Sequence, residues 1–149
     1  MPADAHRPQS GALRWRGVDV REYKREGTAP FRDVTRQVLF DDPALACQLR
    51  YFEVAAGGHT TLERHVHAHA VVIEQGRGRV LVGDRIFAVA PHDLVQIPPS
   101  TWHQFRAESD APLGFLCMVN AERDRPELPS PAELARLRTM PVIGEFIIA

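Results

Sequence analysis

The residues best suited to chemistry are concentrated in one short segment, ERHVHAH, at residues 63–69. Glu63, His65, His67 and His69 occupy alternate positions in it, in a chain of 149 residues with seven histidines. On a β-strand, alternate side chains project from the same face. Imidazole nitrogens and carboxylate oxygens are ligands for divalent transition metals. The pattern therefore indicates either a metal site or a solvated polar face on one strand.

The residues after this segment help to separate the two interpretations. Residues 70–73, AVVI, are apolar and belong in a core. If the histidine face points into that core, each unsatisfied polar group costs about 1–3 kcal/mol. Several such groups would rival the stability of a whole domain, about 5–15 kcal/mol. A bound divalent cation removes that cost, so a metal site is favoured unless the face points outward.

The elements that position this cluster are predicted to be short strands. Turn residues separate eight apolar or alternating segments, and Gly83-Asp84 is a hairpin signal. This spacing predicts an all-β sandwich or barrel. Ser130, Pro131 and Glu133 predict the start of one short C-terminal helix with a capping box. The predicted strands are 34–40, 47–55 (ended by AGG at 56–58), 70–75, 79–82, 85–89, 94–97, 102–105 and 113–120.

Length, composition and charge limit the class of protein. The length predicts one domain, with a disordered tail at residues 1–12, a barrel with an N-terminal arm at 13–125 and a helical extension at 126–149. A net charge of −1 indicates no bulk attraction to nucleic acid or membranes. The N-terminus lacks the apolar region of a signal peptide, and two cysteines fit a reducing compartment. We expect a cytoplasmic protein with a small-molecule substrate and no nucleic-acid or membrane partner.

The spacing of the cluster resembles the motifs of the cupins. On this chain the first motif falls on Gly57, Glu63, His65, His69 and Gly76. The second falls on His92, Pro98, Ser100, His103 and Ala107. The resemblance spans about residues 45–120. It implies a double-stranded β-helix, the jelly-roll barrel of the cupins, which holds one metal ion.

The resemblance also implies a set of metal ligands: Glu63, His65, His69 and His103. Glu63 stands where cupins usually have the first histidine and His69 where they have the glutamate, so the carboxylate has moved within the set. Strand alternation would turn His67 inward as a spare ligand, but cupins bend the chain between these ligands, so His67 is assigned to the substrate pocket and its role as a ligand stays open. Three nitrogens and one carboxylate suit Mn²⁺, Fe²⁺ or Ni²⁺ better than Zn²⁺, and Mn²⁺ is our first choice.

Further residues are expected to surround the metal. Trp102 and Phe105 flank His103, and Tyr51 lies on a neighbouring strand; each lines the substrate pocket or is a plain core aromatic. Cys117 lies within the apolar run FLCMV. A buried cysteine is usually a small hydrophobe. The last cupin strand runs near the metal cavity, however, where a cation would lower the thiol pKa and make Cys117 a nucleophile.

Longer segments are similar to one group of bacterial single-domain cupins, the 1-methylthio-xylulose 5-phosphate methylsulfurylases. These segments are LERHVHAHAVVI, DLVQIPPSTWHQFRA and LGFLCMVNAERDRPELP. The similarity implies metal-dependent removal of methanethiol in methionine salvage, with a thiol such as glutathione as co-substrate and 1-deoxyxylulose 5-phosphate as product. Cys117 as nucleophile and His65 as proton carrier are the implied catalytic residues.

Two other functions stay open at this stage. One is an Fe²⁺ dioxygenase, in which oxygen and substrate occupy the open metal positions. The other is a non-catalytic cupin, in which the metal anchors a small ligand. Because cupins often pair through their N-terminal strands, a homodimer is expected in each case.

Overall fold

The computed structural model describes residues 5–22, 31–122 and 125–149 of the chain. Within these residues the backbone forms eleven strands and two short helices. They are β1 (Gln9–Gly11), β2 (Arg14–Trp15), β3 (Arg21–Glu22), β4 (Arg32–Asp41), β5 (Cys47–His59), β6 (His69–Gly76), β7 (Gly78–Val82), β8 (Arg85–Val89), β9 (Leu94–Ile97), β10 (His103–Ala107), β11 (Leu113–Asn120), α1 (Pro131–Thr139) and α2 (Pro141–Phe146). The predicted all-β class with a short C-terminal helix is confirmed.

One curled antiparallel sheet of nine strands forms the barrel. Its main order is β8-β7-β10-β5-β11-β6-β9, and β4 pairs with β5 from the side. Because β5 pairs with β4, β10 and β11, it joins the two halves of the curled sheet. The interior is filled by alternate side chains of these strands, among which Val54, Val71, Ile73, Val80 and Leu113 are fully buried. This is the jelly-roll arrangement that the sequence predicts.

Three phenylalanine rings stack across the barrel interior. Phe105 of β10 and Phe115 of β11 have ring centroids 4.5 Å apart, and Phe52 of β5 stacks on Phe115 at 5.6 Å. Stacked aromatic pairs of this kind add to the stabilisation that comes from their buried area. These stacked rings fill part of the apolar interior of the barrel.

Strand β5 continues through residues 56–58, which were expected to end it. Gly57 has a φ of +74°, which a residue without a Cβ adopts at little cost. Its N–H donates to the carbonyl oxygen of Glu108 at 2.7 Å, so the backbone stays paired through the irregularity. The glycine therefore marks a bulge-like distortion within the strand rather than its end.

The N-terminal hairpin lies partly in the segment for which disorder was expected. β1 pairs with β2, and Trp15 meets Tyr51 edge-on with centroids 5.6 Å apart. Arg14 forms an ion pair with Glu53 at 3.2 Å. These partners lie on β5, far away in sequence, so local composition at residues 9–11 does not reveal them. Residues 1–4 lie outside the described part of the chain.

The C-terminal helices pack on the outside of the barrel. Ser130 and Glu133 form the predicted capping box: the Ser130 hydroxyl accepts from Glu133 N–H, and Ser130 N–H donates to the Glu133 carboxylate. A second helix, α2, follows at once. Neither helix in the described ranges has the length and apolar character that crossing a membrane requires. The apolar cluster under the helices consists of Leu62, Leu81, Leu137, Ile143 and Phe146.

Candidate metal centre

Three of the predicted ligands converge at one end of the barrel. His65, His69 and His103 each offer a ligand atom, and these atoms lie within 4.8 Å of one another. His69 begins β6, His103 begins β10, and His65 lies in the loop before β6. Backbone hydrogen bonds between Glu63 and His103, at 3.0 and 3.3 Å, hold that loop against β10. Two regions of the chain that are separate in sequence therefore supply one cluster.

Backbone carbonyls fix the orientation of two of these rings. Nδ1 of His65 lies 2.9 Å from the carbonyl oxygen of His67, and Nδ1 of His103 lies 2.9 Å from that of Thr101. A carbonyl oxygen only accepts, so each Nδ1 carries the proton and donates. Nε2 is then the nitrogen that can serve as a ligand, which is the usual outer-shell arrangement of metal-binding histidines.

The third ring, His69, has a different partner. Its Nδ1 lies 3.3 Å from Sγ of Cys117, and its buried Nε2 has no hydrogen-bond partner among the described residues. Burial, followed by the nearby His103 and His65, lowers the pKa of His69 from 6.5 to about 2. The ring is therefore neutral at ordinary pH, and a neutral imidazole with an unsatisfied buried nitrogen is suited to binding a cation. The three histidines thus fit a transition-metal ion.

Glu63, expected as the fourth ligand, lies outside the group of close donor atoms found among the described residues. Its side chain is buried and lines the same pocket. Residues 66–67 form a bend between His65 and His69, as the cupin resemblance implied, so strand alternation does not describe these side chains. His67 also lines the pocket, where its ring stacks on His65 with centroids 3.9 Å apart.

The pocket around the histidine cluster lies at one end of the barrel. Cys117 and Phe105, both singled out from the sequence, contribute to its wall. The stacked phenylalanines supply the apolar part of the lining. The wall consists of Arg50, Phe52, Thr60, Glu63, His65, His67, His69, Val71, His103, Phe105, Phe115, Cys117 and Pro126.

Two residues expected in the pocket lie elsewhere. Tyr51 projects from the opposite face of β5, where its hydroxyl accepts from Gln75 at 2.9 Å and donates to Glu53 at 3.3 Å. Burial, with Glu53 nearby, raises the pKa of Tyr51. Trp102 packs against the apolar cluster under the helices, with the Arg64 guanidinium 4.4 Å from its ring centroid. Neither residue is among those that line this pocket, so both match the other interpretation left open from the sequence, that of packed aromatics.

Sequence reasoning missed Arg50, which lines the pocket. This side chain is 7% exposed and lies over the Phe52 ring at 5.0 Å. Its Cα partner across the sheet is Cys117, so the two residues are direct cross-strand neighbours. An arginine within the strand pattern CQLRYFEVA was the available signal, but the side to which it points depends on how β5 pairs with β11.

A segment after the barrel closes one side of the pocket. We call residues 125–128 the C-terminal strap. Pro126 lines the pocket, and backbone hydrogen bonds at 3.1 and 2.8 Å join Glu127 to Arg64. The Arg64 guanidinium also contacts the carboxylates of Glu127 at 3.0 Å and Glu133 at 3.1 Å, and the hydrogen bond that it donates to Glu127 raises the pKa of Arg64. The strap is thereby joined to the loop that carries His65.

Comparison with known proteins agrees with this architecture. A family model described as the Cupin domain matches residues 50–119. A 1-methylthio-D-xylulose 5-phosphate methylsulfurylase from Rhodospirillum rubrum is 60% identical over 141 residues, which cover 95% of this chain and 90% of that protein.

Solved structures resemble the whole barrel. A cupin 2 conserved barrel domain protein from Rhodopseudomonas palustris is 57% identical, with a TM-score of 0.91, and the match covers 96% of this chain and 99% of the other. A cupin-2 domain protein from Rhodospirillum rubrum is 58% identical, with a TM-score of 0.85 and 95% coverage of both chains.

Proposed function

Because this chain belongs to the cupin family, we propose that it is a metal-dependent enzyme that removes methanethiol from 1-methylthio-D-xylulose 5-phosphate. The product is 1-deoxyxylulose 5-phosphate. The observation that carries the proposal is the thiol of Cys117, 3.3 Å from a histidine of the three-histidine cluster and within the same pocket. The methylsulfurylase similar over nearly the whole chain supports the choice of substrate.

His65, His69 and His103 are the residues that would hold a divalent cation. We expect Mn²⁺, with Fe²⁺ or Ni²⁺ as alternatives and Zn²⁺ less suited. A divalent cation bound there would supply Lewis-acid chemistry, drawing electron density from the keto oxygen of the substrate. With Nε2 of His69 as a ligand, its Nδ1 keeps a proton and donates to Cys117, which favours the thiolate.

The cysteine performs the bond exchange. Cys117 Sγ attacks the methylthio sulfur, the bond from that sulfur to C1 breaks, and its electron pair stays on C1 beside the keto group. Cys117 is oxidised to a methyl disulfide while C1 is reduced to a methyl group. The proton lost by the thiol balances the proton gained by C1.

Glu63 is the residue that we assign to this proton transfer. Its carboxyl group lines the pocket and lies outside the cluster of close donor atoms. His65, the carrier expected from the sequence, is less suited, because Nδ1 is bound to a carbonyl and Nε2 is assigned to the metal. A carboxylate within reach of a reacting carbon is a common proton carrier in enzymes.

Restoring Cys117 requires two molecules of a thiol such as glutathione. The first attacks the methyl disulfide, releases methanethiol and leaves a mixed disulfide on Cys117. The second frees Cys117 and leaves as the oxidised thiol. A cycle that uses a free cysteine fits a reducing cytoplasm, where we place the protein, and we expect a homodimer, which sedimentation would test.

The test is an assay of the purified protein after metal analysis. Incubation with 1-methylthio-D-xylulose 5-phosphate and glutathione, without oxygen, is expected to release methanethiol and 1-deoxyxylulose 5-phosphate in equal amounts. Turnover that consumes oxygen would instead identify a dioxygenase. Recovery of tightly bound but unchanged sugar phosphate would identify a binding protein.

A further inference from the structure

Arg50 is the charged pocket residue that the mechanism leaves unused. Its side chain is 7% exposed, and its Nε is buried without a hydrogen-bond partner. Among the described residues, no hydrogen bond or ion pair of its guanidinium is seen; its contact is with the face of the Phe52 ring. The pocket therefore contains a buried cation whose guanidinium has no hydrogen-bond or ion-pair partner within residues 5–22, 31–122 and 125–149.

Such an arrangement is unfavourable for the protein alone. Removing a charged group from water costs several kcal/mol unless an ion pair or hydrogen bonds replace the lost hydration. The cation–π contact with Phe52 offsets only part of that cost. Glu63 is the acidic residue of the pocket wall, and a divalent cation held by the histidine cluster would add positive charge there. The pocket is therefore suited to an anionic ligand.

We propose that Arg50 binds the phosphate group of the substrate and selects sugar phosphates over free sugars. This inference rests on the proposed function. Arg50 is the cross-strand partner of Cys117, and both residues line the same pocket. A substrate whose C1 substituent meets Cys117 would therefore have its phosphate bound within the same pocket. A planar guanidinium binds phosphate with two parallel hydrogen bonds, which an ammonium group does not reproduce.

The test compares two sugars that differ only in the phosphate. Dissociation constants of xylulose 5-phosphate and xylulose are measured by calorimetry on the metal-loaded protein without added thiol. The wild type is expected to prefer the phosphorylated sugar by at least about ten-fold, the effect of one charge-assisted contact. Arg50→Met is expected to bring this ratio close to one, and Arg50→Lys to give an intermediate ratio. Arg85→Met, which removes an exposed arginine of β8, is the matched control and should keep the wild-type ratio.

Metal content and a thermal melt show whether each variant is folded. A folded Arg50→Met protein with the wild-type ratio would overturn the inference and leave the proposed function intact. If Arg50→Met does not fold, an unchanged ratio in Arg50→Lys would overturn it instead. A wild-type ratio near one, together with no methanethiol release, would overturn the sugar-phosphate substrate itself.

Discussion

The two faces of β5 carry polar groups that are buried in different ways. On the outer face, Tyr51 and Glu53 form a network with Gln75 and Arg14, with contacts of 2.9 to 3.3 Å. On the pocket face, the buried Nε of Arg50 lacks a partner among the described residues.

The contrast shows how to separate structural from functional polar groups. A buried network whose members satisfy one another stabilises the fold and leaves no vacancy for a ligand. Buried groups without protein partners lower stability, and they persist where a ligand or ion completes them. Among the described residues, Nε2 of His69 and Nε of Arg50 are the unsatisfied buried side-chain atoms whose residues line the pocket; Gln37 Oε1 and Thr61 Oγ1 also lack a partner but lie away from it.

The largest expected effect is on catalysis at the pocket face. Cys117→Ser should lower methanethiol release by about 10³-fold or more, because a serine hydroxyl does not replace the nucleophilic thiolate. Metal content should stay at the wild-type level. Cys47→Ser is the matched control, since Cys47 lies outside this pocket. Rapid turnover by Cys117→Ser would show that the cysteine is a core residue only.

Next comes a steric test of the outer face. A Cβ added at Gly114 would collide with the Tyr51 hydroxyl and lie 2.7 Å from Cγ of Gln75. Gly114→Ala should therefore lower the free energy of unfolding by about 3 kcal/mol, at the upper end for overpacked cores. In a Tyr51→Phe background the loss should be smaller, because the hydroxyl that collides is gone. Denaturant unfolding of the single and double variants measures the coupling.

A milder change removes one member of the satisfied network. Tyr51→Phe should cost about 1–2 kcal/mol, because Gln75 and Glu53 lose a partner. The raised pKa of Tyr51 also predicts the direction in which folding stability changes at high pH. The unfolded chain loses the phenolic proton near the ordinary value of 10.0 while the folded protein keeps it, so wild-type stability falls as pH rises above 10.0. The variant should show a shallower alkaline decline.

The smallest effect has the opposite sign. In metal-free protein, His69→Leu should raise the free energy of unfolding by about 1 kcal/mol, because it replaces an unsatisfied buried nitrogen with apolar atoms. The same change should reduce the metal content of the protein purified with Mn²⁺. Thermal melts with and without a chelator separate the two effects. If metal-free His69→Leu protein is less stable than metal-free wild type, His69 stabilises the fold without a metal and the prediction fails.

Much of the fold is readable from the sequence, since all eight predicted strands are present and the capping box starts α1. Strand periodicity and turn residues are local signals, and they suffice for these elements. The three histidines were also correctly expected to converge. The distance of the Glu63 carboxylate from the three histidines was not readable from strand alternation, because the chain bends after it and contacts such as Ser100 N–H to the His65 carbonyl at 2.7 Å hold that segment.

For a related reason, the sequence alone did not show which face of β5 points into the barrel. Either set of alternate residues, Arg50 with Phe52 or Tyr51 with Leu49, could face the interior by pattern alone. Pairing with β11 decides between them, because Arg50 opposes Cys117. Trp15 of the N-terminal hairpin then covers Tyr51, so an aromatic residue is buried outside the barrel interior. Such choices depend on partners distant in sequence.

The C-terminal strap adds to the pocket a stretch of wall that comes from outside the barrel strands. Pro126 forms part of the wall, while the histidines that would hold an ion come from β6, β10 and the loop between β5 and β6. Arg64 ties the two together through Glu127. A substitution in the strap can therefore shift the loop that carries His65, because Arg64 belongs to that loop. Mutations at this edge of the pocket can thus change its reacting groups as well as its outline.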